Sequence, residues 1–312
     1  MKIVKTSLFC ASLFSVATLL ANDPIPQAPL YPNPPGNCPS FFMGGDASIA
    51  VDYFRSLPDG SWTGNGGAFG SVNLAFGIPK EKYGFGAQVG GSYGLYDWDA
   101  RGSNTSGNTK ALQQQGYLTF GFFRQTPSSS GVNAGVVYDV QFNKEFGVFS
   151  LNPIIAQVRG QLGYVIVGRN EVGAWASYDT QTSHKEYQEL PVTFRPISQA
   201  NIFWAHYFKN TAQTMLWAGT PYRRGLMNGS GRAGRYILGA NFRAPLSKAF
   251  SIVGHAAYMA ANSGPASQKS KNYAANISFG LNYAFGGCKA GQRPYMSLAD
   301  NSNFLVDSNV NF

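Results

Sequence analysis

The stretch Val132-Asn133-Ala134-Gly135-Val136-Val137-Tyr138-Asp139-Val140-Gln141-Phe142 alternates with a period of two. Val132, Ala134, Val136, Tyr138, Val140 and Phe142 fall on one side, and Asn133, Gly135, Val137, Asp139 and Gln141 on the other. Successive side chains of a β-strand point to opposite faces, so one face is apolar and the other small or polar. The same parity runs from Tyr273 to Phe285, where Ile277, Phe279, Leu281 and Tyr283 alternate with Asn276, Ser278, Gly280 and Asn282. No helical period competes with it.

Working outward, about twelve such segments lie near 45–55, 67–78, 83–96, 111–124, 132–143, 153–167, 171–179, 197–208, 213–220, 234–244, 249–260 and 273–285. A tilted strand needs about 9–11 residues to cross a bilayer. The connections alternate between long (near 56–66, 97–110, 144–152, 180–196, 221–233 and 261–272) and short. Membrane barrels have short periplasmic turns and long outer loops, whereas a soluble sandwich has no reason to alternate them. Aromatic residues gather toward both strand ends. Tyr93, Tyr96, Trp175, Tyr178, Trp217, Tyr222 and Tyr236 lie toward the long loops, and Phe85, Phe122, Trp204, Phe250 and Tyr283 toward the short turns. That is the distribution of two interfacial girdles. The expected fold is all-β: a transmembrane up-and-down antiparallel β-barrel of about twelve strands, with ten or fourteen as alternatives.

Composition agrees. Only 12% of residues are charged while 14% are aromatic, and mean hydropathy is −0.15. The charged fraction is about half that of an ordinary soluble domain. Strands that are greasy on one face and wet on the other keep mean hydropathy near zero. The N-terminus reads as an export signal: Lys2 and Lys5, then an apolar run from Thr6 to Leu20, ending in Ala21. The expected organisation is a signal peptide at 1–21, a Pro-rich linker at 22–40, the barrel at 41–286 and a periplasmic or lumenal tail at 287–312. Sec export and cleavage after about Ala21 would deliver the chain to the outer membrane. The net charge of +9 falls to about +7 without Lys2 and Lys5. These basic residues form no basic helix or stripe, so nucleic acid is not an expected partner.

Ser278-Phe279-Gly280-Leu281-Asn282-Tyr283-Ala284-Phe285 resembles the closing-strand signal of outer-membrane barrels, with Ser278, Gly280, Tyr283 and Phe285 at its marked positions. The implied partners are outer-membrane lipid and the barrel-assembly machinery, which engages such a strand by pairing with it. A homo-oligomer is compatible with the sequence. A rival alternating run, Phe304 to Phe312, would give an odd strand count, so the earlier segment is preferred. Cys38 and Cys288 flank the barrel. Neighbouring first and last strands in an oxidising compartment make a Cys38–Cys288 disulfide the expectation.

Asp52, Asp139, Arg159, Arg235 and Arg243 share the non-lipid parity and are the expected lumen-facing charges. Asp139 and Arg159 are expected to face each other across a hairpin and neutralise each other. Arg235 and Arg243 have no evident partner, which suggests anion preference in a pore. The three histidines, His184, His206 and His255, show no spacing that selects a nucleophile or a metal. No catalytic residue, cofactor or metal is expected, and the chain is not read as an enzyme. Two stretches resemble a family of uncharacterised outer-membrane β-barrel proteins of planctomycetes and chlamydia-like bacteria. One runs from Gln115 to Arg124, then Gly131 to Asp139 and Ala156 to Gln161; the other is Arg293 to Asp307. The resemblance implies an outer-membrane setting and a tail that belongs to the domain. The functional expectation is a porin-like passive channel for small solutes with anion preference. The alternative is a structural or adhesin-like surface protein without an open pore.

Overall fold

The computed structural model describes residues 42–56, 64–77, 84–96, 112–126, 130–147, 149–166, 169–208, 212–226, 231–262, 273–286 and 294–309. Signal peptide, linker, Cys38 and Cys288 lie outside the described residues. The first seven strands are β1 (Phe42–Ser56), β2 (Gly64–Gly77), β3 (Phe85–Tyr96), β4 (Gln113–Arg124), β5 (Gly131–Lys144), β6 (Ile154–Ile166) and β7 (Asn170–Gln181). A small hairpin follows, β8 (Ser183–Tyr187) and β9 (Leu190–Pro196). Then come β10 (Gln199–Tyr207), β11 (Gln213–Pro221), β12 (Ile237–Pro245), β13 (Phe250–Met259), β14 (Ala274–Phe285) and the short β15 (Val306–Ser308).

Twelve strands close into one antiparallel barrel, β1 to β7 and then β10 to β14, with β14 returning to β1. The seam is continuous from Gly45↔Phe285 to Ser56↔Ala274. The closing strand is therefore β14, and the rival run beyond Phe304 is not a barrel strand. Within it, β15 joins β9 and β8 in a separate three-stranded sheet. The segment 180–196, read from the sequence as a long connection, holds the β8–β9 hairpin. Its Pro191, Pro196 and charged residues mask the alternation that longer strands display.

The other connections sort into two ends. Those after β3, β5, β7, β11 and β13 are long, and those after β4, β6, β10 and β12 are short. The connections after β1 and β2 are of equal length, so the alternation begins at β3. Below, these are the loop end and the turn end.

Parity decides the faces. Along β5, Asn133, Val137, Asp139, Gln141 and Asn143 are buried, while Val132, Val136 and Phe142 are exposed. Along β14, Asn276, Ser278 and Asn282 are buried, while Phe279, Leu281 and Tyr283 are exposed. The exposed face is thus apolar all around the ring, as a barrel bathed in hydrocarbon requires. Its rims carry Tyr93, Tyr178, Tyr222 and Tyr236 at the loop end and Phe85, Phe122, Phe250 and Tyr283 at the turn end. Tyr96, Trp175 and Trp217 correct the girdle expectation. All three lie on the inward parity and are buried, Tyr96 at the end of β3 and Trp175 and Trp217 in the middle of β7 and β11.

Two residues of opposite parity on β5 give the direct test of facing. Val136, midway along the strand, is 49% exposed, and Asp139 is 0% exposed. Val136→Arg should lower stability in lipid by about 2–4 kcal/mol, read by equilibrium unfolding in vesicles. Val136→Leu should leave it unchanged.

Candidate functional site

The lumen contains the protein's own C-terminal segment. Tyr295 enters at the turn end, where its hydroxyl donates to Oε1 of Glu171, the second residue of β7. Gln88 of β3 donates to the Met296 carbonyl at 3.2 Å. Arg159 of β6 donates to the Ser297 carbonyl at 2.6 Å and to its hydroxyl at 2.9 Å. The Ala299 amide donates to Thr119 of β4 at 3.0 Å. At the loop end, Ile197 donates its amide to the Leu305 carbonyl at 2.7 Å. There β15 pairs with β9, Val306 opposite Pro196 and Ser308 opposite Phe194. The segment therefore threads the barrel from one mouth to the other. Met296, Ala299, Asn301, Ser302 and Phe304 to Ser308 are all buried.

Local chemistry shapes this segment. The Asp300 carboxylate accepts the amides of Ser302 at 2.8 Å and Asn303 at 3.3 Å. The Phe304 amide donates to the Asp300 carbonyl at 2.9 Å. An aspartate that bonds its own backbone two residues on makes a tight turn without help from a sheet. That turn widens the segment in mid-lumen, and its polar groups meet wall groups. Asn301 donates to Asp52 at 2.8 Å and accepts from the Tyr117 hydroxyl at 2.6 Å. Asp52 also accepts from Tyr96 at 3.0 Å and Asn276 at 2.6 Å. His255 of β13 pairs with Asp300 at 2.6 Å. A small cavity of about 10 Å³ remains beside Asp52, His255 and Asp300, room for about one water molecule.

The wall makes space for the tail. A Cβ on Gly135 would stand 2.5 Å from Met296 Cγ, and one on Gly90 would stand 2.6 Å from Leu298 Cδ2. Side chains fill the rest. Trp175 and Trp217 meet edge to face at 6.2 Å and pack with Phe203, Ala205 and Ala257. Toward the loop end, Phe304 and Val306 pack with Tyr117, Phe146, Ile155, Val192 and Phe194. Asp307 accepts the Leu226 amide at 2.8 Å and pairs with Arg195 at 3.4 Å. Burial pushes its carboxyl up to about 6, against the pull of the Leu226 N–H and Arg195.

The expected lumen charges separate into three groups. Asp52 faces the lumen and is engaged by the tail. Asp139 and Arg159 form a two-pronged pair, Nε to Oδ2 at 2.9 Å and Nη2 to Oδ1 at 3.2 Å. They are not directly opposite: Asp139 stands across from Gln157, and Arg159 across from Val137. Arginine is long enough to close the diagonal. Thr119 and Gln157 complete the Asp139 carboxylate at 2.8 and 3.1 Å. Losing one partner of such a buried pair costs about 3–5 kcal/mol, so this is a brace and not a free anion site. Arg243 has partners after all, Asn282 at 2.8 Å and Asp46 at 3.9 Å. Arg235 is not lumenal: it precedes β12 and is exposed.

The other groups are quickly placed. His184 on β8 bonds Thr193 at 3.1 Å, and His206 on the outer face of β10 bonds Asn170 at 2.9 Å. Among the described residues, no cluster of three or more His, Cys, Asp or Glu is arranged to hold a metal. Asp300, Asn301, Tyr117 and Thr119 were missed by sequence reasoning. The signal was the run Asp300-Asn301-Ser302-Asn303, too polar for a strand facing lipid and too short for a domain.

The model of a family of unknown function, DUF6666, matches residues 39–306. None of the curated proteins matches. Outer membrane phospholipase A from Escherichia coli is similar at 7% identity and a TM-score of 0.43, covering 78% of this chain and 98% of that one. A Pseudomonas aeruginosa FadL homologue is similar at 10% identity and a TM-score of 0.44, covering 83% and 96%. The transport unit of the autotransporter AIDA-I from Escherichia coli is similar at 13% identity and a TM-score of 0.39, covering 87% and 98%. At such identities each is a likeness of fold alone.

The tail's seat can be tested at its tightest point. Gly135→Val should unseat the segment and make 294–309 cleavable by added protease, with the barrel itself intact on gels. Gly160→Val, where a new Cβ meets nothing closer than 3.9 Å, should leave the tail protected.

Proposed function

The chain belongs to the DUF6666 family of unknown function, and we propose that it is an outer-membrane barrel kept closed by its own C-terminal segment, acting as a structural or surface-interaction protein. One observation carries this reading: Asn301 to Ser308 is buried without a break, and Met296 and Ala299 are buried ahead of it, with Ser297 held by Arg159 of the wall. A ring of about eight strands fills with its own side chains, and sixteen or more leave a water channel. Twelve strands fall between, and here the surplus width holds the tail. The cap sheet of β8, β9 and β15 adds a second layer at the loop end.

A gated channel is the second reading, favoured by the wall behind the tail. Gln88 Oε1, Gln141 Oε1 and Gln157 Oε1 are buried without a hydrogen-bond partner. Such groups gain by hydration, so an emptied lumen would be wettable. The porin-like reading needs this emptied state at rest. Its anion preference loses support, since Arg243 is engaged by Asn282 and Asp46 and Arg235 is exposed ahead of β12.

Planar-bilayer recording separates these readings. The full chain should give no steady conductance. A chain truncated after Ala290 should conduct in steps, if it folds to the same heat-modifiable form. Steady conductance by the full chain would overturn the closed reading.

A further inference from the structure

We propose that Arg224 and Arg232, which face each other between β11 and β12, form a binding surface for the phosphate groups of outer-leaflet lipid. The sequence between Glu189 and Asp300 contains no aspartate or glutamate, although twelve lysines and arginines fall there. The fold gathers this stretch into one arc of the ring, β10 to β14. Arg223, Arg224, Arg232 and Arg235 all lie in the β11–β12 connection.

Geometry sharpens the charge pattern. Arg224 and Arg232 stand opposite each other across an isolated antiparallel bridge, closed by the Gly225 amide to the Gly231 carbonyl at 2.9 Å. Like charges directly opposite are destabilising, and an anion between them reverses the sign. Arg224, Arg232 and Arg235 are exposed. None of the three makes an ion pair among the described residues. Arg232 reaches only the Thr220 hydroxyl, at 3.3 Å. Arg223 differs: it pairs with Asp179 and lies over the Tyr178 ring at 5.1 Å.

Position selects the occupant. Tyr178, Tyr222 and Tyr236 are exposed at 51%, 42% and 42%; Tyr178 lies under Arg223, and Tyr222 and Tyr236 are the chain neighbours of Arg223 and Arg235. Tyrosines at a barrel rim mark the level of the lipid headgroups. The guanidinium fork matches phosphate oxygens two at a time. A headgroup seated at Arg224 and Arg232 would run its acyl chains down past Tyr236 and the exposed Leu238. The occupant is thus a phosphorylated lipid of the outer leaflet, and the inference holds whether or not the lumen conducts.

The test is native mass spectrometry of the folded full chain in a neutral, phosphate-free detergent. The probes are bisphosphorylated lipid A and the same lipid with its phosphates removed. We expect saturable binding of the phosphorylated form. The double variant Arg224→Gln/Arg232→Gln should weaken it roughly tenfold or more, because two charge-assisted contacts are lost. Lys248→Gln, at the turn end, should bind like the wild type. A low-affinity response to inorganic phosphate that vanishes in the arginine variant supports the same site. Equal affinity for the dephosphorylated lipid, unchanged affinity in the arginine variant, or an equal loss in the lysine variant would each overturn the proposal. So would arginine-dependent capture of dextran sulfate together with lipid A binding that ignores the arginines.

Discussion

A sheet in hydrocarbon has no water for its edges, so each unpaired N–H and C=O there costs several kcal/mol. That penalty forces β14 onto β1, and the remaining features follow from closure. Closure fixes a parity, with one face to acyl chains and the other to an enclosed space. It also fixes a diameter, and twelve strands enclose more room than their side chains fill. The chain answers with two kinds of filling. A tryptophan pair closes the side formed by β7, β10 and β11, and the C-terminal segment fills the rest.

The filling and the wall depend on each other. Asp52, Asp139 and Glu171 are carboxylates almost wholly removed from solvent, and a buried charge persists only where it is paired and hydrogen-bonded. Arg159 supplies the countercharge for Asp139 and spends its other donors on Ser297. Asp52 takes one of its bonds from Asn301, and Glu171 takes one from Tyr295. The tail thus completes networks that the wall begins, and partly satisfied networks in a low dielectric are costly. Its apolar end, Phe304 to Val306, then locks into the clusters under the cap. The segment binds through polar groups in mid-lumen and apolar groups at the loop end.

The barrel was legible because its signal repeats. Every wall strand is long enough to show the period of two, and parity alone places Val136 outside and Asp139 inside. The closing strand was legible because counting strands in pairs excludes the rival. Facing was harder for aromatics. Tyr96, Trp175 and Trp217 have the size of girdle residues, and inward parity separates them from Tyr178. Arg235 fell on the wrong side of a strand boundary misplaced by three residues. The β8–β9 hairpin and the path of the tail were not legible. The hairpin is local, but its prolines and charges mask the alternation; the tail's path rests on contacts between segments more than a hundred residues apart, such as Asn301 with Asp52, which no local period encodes.

Hydrogen exchange read by mass spectrometry tests the threaded tail most directly. In the full chain in micelles, peptides spanning 296–308 should exchange as slowly as those of β5 and β6, since the same closed wall shields them. Exchange of these peptides within seconds, at the rate of open loops, while β5 and β6 remain protected, would contradict a lumen filled by its own C-terminus.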